Sequence, residues 1–388
     1  MKPGHLYPLP DAQVLASYAV DSARSRGRRL PENDHDFRSA FQRDRDRIVH
    51  SRAFRRLEYK TQVFVNHEGE HYRTRLTHSL EVSLLARTVC RTLGLNMDLA
   101  ECLALSHDLG HTPFGHLGED VLDRLMAGHG GFDHNRQSLR IVEVLEDRYP
   151  GFHGLNLTYE VREGIVKHSG RIDLEREPDL AIYEPQTSAP LEAQMMDLVD
   201  ELAYNHHDLD DGLESGLLSL EQLIQEVPLF ARHHATVYKS FPGATEFQIQ
   251  AMTLRHLIDD LVTDLVRSSR RRLAEAGISS LAEVRSHPEN LIGLSSERAG
   301  MNRTLKKHLN EHLYRHPQIE ATRDRYRTVL DGLFKAYHQD PTRLPSPHRH
   351  RADAGEKMER IICDYIAGMT DRYALDEYQR LYGINPLG

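Results

Sequence analysis

The chain has 388 residues, of which 39% are hydrophobic and 28% are charged, a balance typical of globular rather than disordered proteins. Its formal net charge of -9 argues against a general nucleic-acid-binding protein, because such domains are normally basic. No apolar run reaches the roughly 18 residues that a transmembrane helix needs. The N-terminus lacks a signal-peptide pattern, and three cysteines are too few for a disulfide framework. We therefore expect a cytoplasmic protein that does not enter the membrane.

Apolar residues recur at helical spacing through most of the chain, which predicts an all-α fold with an N-terminal helical core and additional C-terminal helices. The first clear helix covers residues 77–94, where Gly94 is a suitable C-terminal stop. Its predicted apolar positions are Leu80, Leu84, Ala86 and Val89. Further amphipathic helices are predicted over residues 96–110, 133–151, 191–209 and 244–277, the last with a core stripe at Leu254, Leu257, Leu261 and Leu265.

Few segments depart from this helical pattern. Residues 64–75 could form at most a short hairpin, and loops are predicted over residues 171–190 and 239–246. The segment 338–355 is rich in Pro, Arg and His, which predicts a polar surface linker.

The stretch HDLGHTPFGHLGED, residues 107–120, combines histidines and acids with residues that interrupt a helix. Gly110 and Pro113 predict that the preceding helix ends near His107 and Asp108. At such a helix end two adjacent side chains can converge on one ion, which they rarely do within a regular helix. An imidazole and a carboxylate together suit a borderline divalent cation such as Mn²⁺, Fe²⁺, Co²⁺, Ni²⁺ or Zn²⁺.

Further metal ligands are expected on other amphipathic helices. His78 lies near the start of the preceding predicted helix, and Asp200 lies in a helix that is otherwise rich in Met and Leu. A charge on such a face is costly unless it is paired or binds metal. With His107 and Asp108 these residues form a set of two imidazoles and two carboxylates. That set leaves coordination positions open, as in catalytic sites. An isolated His-Asp pair is common by chance, so the prediction depends on its longer context.

That context resembles a known family. The segments THSLEV, HDLGHTPFGHLGE, GGFDHNRQSLRIVEVLEDRYPGFHGLNLT, GIVKHSG and VDELAYNHHDLDDGL occur in order, and RDRDRIVHSRAFRRLEYKTQVF and DYIAGMTDRYALDEYQRLYG flank them. Together they strongly resemble the bacterial deoxyguanosinetriphosphate triphosphohydrolase family, a branch of the HD-domain phosphohydrolases. The resemblance covers residues 40–383.

The resemblance implies a role for each of several residues. It implies the metal ligands His78, His107, Asp108 and Asp200. It implies His116 as the catalytic histidine, Glu119 as the acid that holds it, and His134 as a histidine near the scissile phosphate. It implies substrate contacts by Arg75 with phosphate, by Gln62 with the sugar 3′-hydroxyl, and by Tyr204 and Asp208 in the sugar pocket.

Spacing supports part of this assignment, because positions 200, 204 and 208 share one helix face. Two plainer interpretations remain open at this stage: Tyr204 as a half-buried core tyrosine, and His116 as a loop histidine that caps a backbone group. Thr112 replaces a proline that is common in relatives, and we expect it to loosen the following loop slightly.

The resemblance further implies a metal-dependent hydrolase that cleaves a dNTP to a deoxynucleoside and inorganic triphosphate, with Mn²⁺ as the first choice of cation and Mg²⁺ as another. It implies dNTPs as allosteric activators, a homo-oligomer such as a hexamer, and association with single-stranded DNA. The arginine clusters at residues 22–29, 43–60 and 267–272 are candidates for a phosphate ligand, a subunit contact or solvated helix faces, and those at 22–29 and 267–272 are also candidates for DNA contacts. The predicted organisation is a basic N-terminal segment at 1–60 that completes the active site, an HD-domain core at 61–215 and a helical C-terminal region at 216–388.

Two alternatives compete with this prediction. The first is an HD-domain phosphohydrolase acting on a nucleoside monophosphate, a cyclic dinucleotide or an alarmone. The second is a sensor that binds dNTP or single-stranded DNA without catalysis, which predicts a lost ligand or catalytic histidine, and none is missing. The residues assigned to the substrate contact sugar and phosphate, so they leave the base preference open.

Overall fold

The structure is a computed structural model that describes residues 14–62, 72–168, 172, 174–175 and 177–386. Within these ranges the chain forms helices and no β-strand, apart from three isolated backbone bridges, which confirms the predicted all-α fold. Most of the hairpin predicted at 64–75 lies outside the described residues. None of the described helices is both long and apolar enough to span a membrane.

Seventeen α-helices occur in the described residues. They are α1 (Ala40–Val49), α2 (Arg52–Arg56), α3 (Arg75–Leu93), α4 (Met97–Ser106), α5 (His116–Leu125), α6 (His134–Arg140), α7 (Tyr159–Val166), α8 (Leu191–Glu214), α9 (Leu220–Glu226), α10 (Pro228–Ser240), α11 (Glu246–Glu275), α12 (Leu281–Ser286), α13 (Ser296–Leu309), α14 (Pro317–Gln339), α15 (Ser346–Asp353), α16 (Met358–Ala367) and α17 (Asp371–Tyr382). A π-helical turn extends α6 over Ile141–Leu145, and another extends α13 over Asn310–Tyr314. Short 3₁₀ helices lie at Ser22–Arg24, Leu57–Tyr59, Pro178–Tyr183 and Pro341–Arg343.

The chain divides into two compact units, each built from separated stretches. The first unit contains Met1–Asp46, Leu80–Ala104 and Leu157–His316. The second unit contains Arg47–Ser79, Leu105–Asn156 and Pro317–Gly388. The organisation proposed from sequence, with boundaries after residues 60 and 215, divides the chain differently and stays a proposal.

In the first unit, α11 packs against α8 and α10, and α13 packs against α8. A capping box starts α11, because the Thr245 side chain accepts from the Gln248 amide while the Gln248 side chain accepts from the Thr245 amide. The predicted stripe along this helix is buried at all four leucines, Leu254, Leu257, Leu261 and Leu265. The helical period therefore identified the core-facing side of α11.

In the second unit, α14 packs against α5, α16 and α17 around one hydrophobic core. The Phe114 ring stacks on Tyr326 with 4.1 Å between centroids and an angle of 1° between planes. An ion-pair network also belongs to this unit: the buried Asp364 carboxylate accepts from Arg140 over 2.8–2.9 Å and from Arg351. These contacts attach the C-terminal helices to α5 and α6, the two helices that carry site residues.

Two sequence predictions are wrong. Leu80 and Leu84 are 48% and 66% exposed, and the buried face of α3 carries Val82 together with the correctly predicted Ala86 and Val89. The segment 338–355 contains the helix α15 rather than a surface linker. Pro345 and Pro347 stand at the start of that helix, where a missing N–H costs nothing because the first turn has no intrahelical acceptor for it.

Candidate active site

The turn that follows α4 carries His107 and Asp108. α4 ends immediately before this pair, as predicted, and the chain then turns against α6. The Gly110 amide donates to Ser138 Oγ over 2.8 Å, and that hydroxyl donates to the His107 carbonyl over 3.0 Å. A Cβ at position 110 would lie 2.1 Å from the His134 carbonyl oxygen. Glycine is therefore required for α6 to hold the turn this closely.

Three of the four predicted metal ligands come together in the second unit. His78, His107 and Asp108 are buried, and each offers a ligand atom within 4.8 Å of those of the other two. The centroids of the two imidazole rings are 5.4 Å apart. Asp108 Oδ2 is buried and has no hydrogen-bond partner among the described residues. Two imidazoles and a carboxylate with an unsatisfied oxygen fit a divalent transition-metal cation.

The other carboxylate oxygen of Asp108 is held by two neighbours. Arg75 Nη1 donates to Asp108 Oδ1 over 3.1 Å, and His111 Nε2 lies 3.1 Å from the same oxygen. Burial acts to raise the pKa of Asp108, but the His107 ring, the Arg75 guanidinium and the His111 ring together lower it well below its usual value. Asp108 is therefore an ionised, oriented carboxylate. The structure places Arg75 against this group, and its predicted contact with phosphate stays a prediction.

Three histidines and one acid form a second group beside the first. The His111 ring stacks on the His134 ring, with centroids 4.1 Å apart. His134 Nδ1 lies 2.8 Å from Glu119 Oε1, and the His134 amide donates to the same oxygen over 3.0 Å. His116 Nδ1 lies 3.6 Å from Glu119 Oε2, and 76% of the His116 side chain is exposed. Glu119 thus lies between the two histidines and holds His134 more closely than His116.

The charge of Glu119 is also set by these neighbours. Burial raises the pKa of Glu119, but the His116 and His134 rings lower it far below its usual value. A carboxylate only accepts hydrogen bonds, so His134 Nδ1 carries the hydrogen in this contact. Burial, Arg75 and His134 lower the pKa of His111, which favours its neutral form.

The loop before α5 has an unusual backbone. Phe114 and Gly115 both have φ of 63°, a conformation that costs a non-glycine residue about 1–3 kcal/mol. Thr112 Oγ1 donates to the Gly115 carbonyl over 2.9 Å. This hydrogen bond is one that a proline could not make, and the expected loosening relative to a proline stays a prediction. Gln62 lies beside the loop, and its side-chain oxygen is buried without a hydrogen-bond partner among the described residues.

The first unit carries the other predicted site residues on α8. Asp200, Tyr204 and Asp208 follow one another at four-residue intervals, as the sequence indicates. Tyr314 donates its hydroxyl hydrogen to the buried Asp208 carboxylate. Burial raises the pKa of Tyr204 to about 12, so its hydroxyl stays protonated at neutral pH.

A pocket of about 510 Å³ opens beside this face of α8. Its lining is rich in cationic and polar side chains: Tyr204, Asn205, Lys306, Lys307, Asn310, Glu311, Tyr314 and Arg315. Lys306 is partly neutralised by Glu201 at 2.7 Å. The pocket combines aromatic surface with positive charge, which suits a nucleotide.

Known proteins match nearly the whole chain. The family model for the HD domain matches residues 75–205, and that for the phosphohydrolase-associated domain matches residues 292–380. A deoxyguanosinetriphosphate triphosphohydrolase-like protein of Azoarcus sp. (strain BH72) is 50% identical over 378 residues, covering 97% of this chain and 99% of the relative. Proteins of the same description from Geobacter sulfurreducens and Nitrosomonas europaea are 50% and 49% identical, over 95% of this chain and 95% and 98% of the relatives.

The chain belongs to the deoxyguanosinetriphosphate triphosphohydrolase-like family of HD-domain phosphohydrolases. The HD-domain match contains every predicted ligand, together with His116, Glu119 and His134. The phosphohydrolase-associated match contains the cationic side of the pocket in the first unit and much of the C-terminal core of the second unit.

Sequence reasoning missed several residues of this triphosphohydrolase-like protein. His111 lies four positions after His107 in the same motif, so its place in the sequence was an available signal. Lys306 and Tyr314 are more than 90 residues away from α8 in sequence, and nothing in their local pattern indicates a pocket. Their proximity to Tyr204 and Asp208 results from the packing of α13 on α8.

Several arginines of these clusters form ion pairs or hydrogen bonds within the first unit. Arg28 pairs with the buried Asp44, Arg43 with Glu32, and Arg45 with Glu101. In the third cluster, Arg270 donates to the Thr92 carbonyl and Arg272 to that of Leu294. These contacts favour a structural role for the arginines concerned over a general phosphate-binding one.

Proposed function

We propose that this HD-domain hydrolase cleaves deoxynucleoside triphosphates to deoxynucleosides and inorganic triphosphate. The observation that carries the proposal is a set of buried polar atoms in the second unit without hydrogen-bond partners among the described residues: Gln62 Oε1, Arg75 Nε, Asp108 Oδ2 and His111 Nδ1. Buried polar atoms are nearly always satisfied, so such a set points to a polar ligand. A phosphorylated sugar with its cation supplies partners for all of them.

We propose that His78, His107, Asp108 and Asp200 hold one divalent cation, with Mn²⁺ the first candidate and Mg²⁺, Fe²⁺, Co²⁺, Ni²⁺ and Zn²⁺ the others. Such a cation lowers the pKa of a bound water and polarises a non-bridging oxygen of the α-phosphate. Arg75 orients Asp108 through Oδ1, and its unsatisfied Nε is a donor for a phosphate oxygen.

His116 is the proposed general acid. The bond between the α-phosphorus and the 5′-oxygen breaks, and His116 donates a proton to that oxygen as it leaves. The oxygen of water ends on the triphosphate, and the deoxynucleoside gains a 5′-hydroxyl hydrogen. Glu119 lies 3.6 Å from His116 Nδ1 and 2.8 Å from His134 Nδ1, so it can orient both rings. General acid catalysis of this kind contributes about 10²–10⁴-fold to rate.

Gln62, Tyr204 and Asp208 are the proposed sugar contacts. Gln62 offers an unsatisfied acceptor to the 3′-hydroxyl, and the Tyr204 ring favours deoxyribose by leaving no room for a 2′-hydroxyl. Tyr314 fixes the orientation of Asp208 through its hydrogen bond. Lys306, Lys307 and Arg315 line the pocket beside Tyr204 in the first unit and give it positive charge.

The test is product analysis by phosphorus NMR after incubation with Mn²⁺ and each dNTP. Triphosphate and deoxynucleoside are expected, with kcat reduced about 10²–10⁴-fold in His116→Ala. The control His153→Ala changes a histidine of the same unit that is 78% exposed and is expected to keep full activity. Release of orthophosphate or pyrophosphate would overturn the assignment in favour of another HD-domain substrate. Tight dNTP binding without turnover would favour a sensor.

We also propose a cytoplasmic homo-oligomer, such as a hexamer, that dNTPs activate allosterically and that associates with single-stranded DNA. Mass photometry with and without dNTPs tests the assembly, and turnover of a dNTP mixture compared with single dNTPs tests activation. A fluorescence-anisotropy titration with a single-stranded oligonucleotide at two salt concentrations tests DNA binding, because a phosphate contact weakens as salt rises.

A further inference from the structure

Two buried ionisable side chains in the second unit have no place in the proposed chemistry. Lys60 and Asp371 are each 2% exposed. Burying an isolated charge is costly, so each must be held by polar partners. Those partners lie in the loop that leads to His116.

Asp371, the first residue of α17, connects two loop segments. Its Oδ1 accepts from the Phe114 amide over 2.9 Å. Its Oδ2 accepts from the Thr61 amide over 2.8 Å and from the Thr61 hydroxyl. One carboxylate thus holds the residue before Gln62 and a residue two positions before His116.

Lys60 connects the same segments from the other side. Its Nζ donates to the His111 carbonyl and, over 2.8 Å, to the Ala367 carbonyl at the end of α16. The Lys60 carbonyl accepts from the Arg75 amide over 3.2 Å. Both ends of the loop 111–116 are therefore tied to the stretch 60–61 and to the C-terminal helices.

The backbone of the loop needs such support. Phe114 has a positive φ, which an L-residue keeps only where its surroundings compensate the strain. The hydrogen bond from its amide to Asp371 and the stacking of its ring on Tyr326 are the two contacts that supply compensation. Gly115 follows Phe114, and α5 then begins with His116, so rotation of the Phe114 peptide would displace the His116 ring.

We infer that Asp371 and Lys60 are positioning residues that fix the loop 111–116 and thereby place His116 for proton transfer. The inference rests on the proposed role of His116. Neither side chain touches the substrate in this scheme. They act through the Phe114 amide and the His111 carbonyl.

A matched control exists in the first unit. Asp44 is also buried, and its Oδ2 accepts from the Thr158 amide over 2.8 Å and from the Thr158 hydroxyl over 2.6 Å. Asp371→Asn and Asp44→Asn therefore both weaken a carboxylate contact with a backbone amide and a threonine hydroxyl. Asp44→Asn also removes the buried ion pair with Arg28, but only Asp371→Asn affects the loop. A role limited to stability predicts similar behaviour in both variants.

The first measurement is hydrogen–deuterium exchange of the peptide that contains residues 112–116, which requires no activity. Faster exchange is expected in Asp371→Asn and unchanged exchange in Asp44→Asn. In the triphosphate assay, kcat is expected to fall about 10- to 100-fold in Asp371→Asn, as for a catalytic group displaced by about 1 Å, with KM within about threefold. Asp44→Asn is expected to keep its kcat.

A double variant tests whether Asp371 acts through His116. Asp371→Asn added to His116→Ala is expected to cause no further loss of kcat, whereas multiplied losses would overturn the inference. Thr61→Val removes only the hydroxyl contact with Asp371, so it serves as the test if Asp371→Asn does not fold. The loss of kcat is expected to be smaller in Thr61→Val, and Thr61→Ser is expected to restore kcat. Unchanged loop exchange would also overturn the inference. If the wild type releases no triphosphate while Asp371→Asn still exchanges faster than wild type in the loop, the proposed function is refuted and the role of Asp371 in holding the loop is not.

Discussion

Replacing Gly110 by alanine should destabilise the second unit strongly. The added Cβ would lie 2.1 Å from the His134 carbonyl oxygen, 2.4 Å from the Ser138 amide nitrogen and 2.8 Å from the Gln137 carbonyl carbon. The shortest of these distances is 1.3 Å below the 3.4 Å at which ordinary contact begins. All three atoms belong to backbone, so rotation of a side chain cannot relieve the clash.

The cost follows from what must move. Separating the turn from α6 breaks the hydrogen bonds from the Gly110 amide to Ser138 and from Ser138 to the His107 carbonyl. Two buried hydrogen bonds contribute about 1 kcal/mol each, and overpacking adds about 1–3 kcal/mol. We therefore expect the free energy of unfolding to fall by about 3–5 kcal/mol. Activity should fall as well, because the turn and α6 carry His107 and His134.

Urea denaturation followed by circular dichroism measures this change. The control is Gly151→Ala in the same unit, where the φ is not positive and no atom lies within 4 Å of the added Cβ. That variant should stay within about 0.5 kcal/mol of wild type. A loss below about 1 kcal/mol in Gly110→Ala would show that the turn relaxes without separating from α6, against the reasoning above.

Two further predictions concern buried charges in the same unit. Burial lowers the pKa of Lys60 to about 7 from its ordinary 10.5, so between these values unfolding takes up a proton and this side chain contributes more stability as pH rises. In urea titrations, the free energy of unfolding of wild type minus that of Lys60→Met should increase from pH 7 towards pH 10.5. A decrease would contradict the lowered pKa of Lys60. Asp364→Ala should cost about 3 kcal/mol because it leaves the Arg140 and Arg351 guanidinium groups without their central carboxylate. Asp324, which pairs with Arg327 at the surface, is the control: Asp324→Ala should lower the free energy of unfolding by less than about 1 kcal/mol. Equal losses in the two variants would refute the importance of burial.

The local sequence predicts where the helix before the site ends, but not which distant residues hold the site loop in place. The end of α4 before His107 could be predicted because Gly110 and Pro113 interrupt a helix within a few residues. The contact between Asp371 and Phe114 joins residues that are 257 positions apart, and no periodic pattern carries that information. Leu80 illustrates the same limit, since helical spacing groups residues on a face without showing which face meets a neighbour.

Part of the site came from family resemblance rather than from physical reasoning. Ligand chemistry alone predicts the grouping of His78, His107 and Asp108, and the structure brings them together. The role of Glu119 came from the resemblance alone. Its position between His116 and His134 depends on the start of α5 and on the chain entering α6, so the geometry required the structure. The proposed roles of these residues stay predictions until the variants are measured.

The second unit is assembled from three stretches that alternate along the chain with those of the first, and this arrangement affects synthesis. A nascent chain that has been extended only through α14 already contains every residue that we propose for catalysis and metal binding. It lacks Asp371, however, so the Phe114 amide does not yet have the carboxylate that accepts its hydrogen in the folded structure. By the inference above, the loop 111–116 gains this contact only after α17 begins to be made. The residues proposed for catalysis are therefore all synthesised before Asp371, which we infer positions His116.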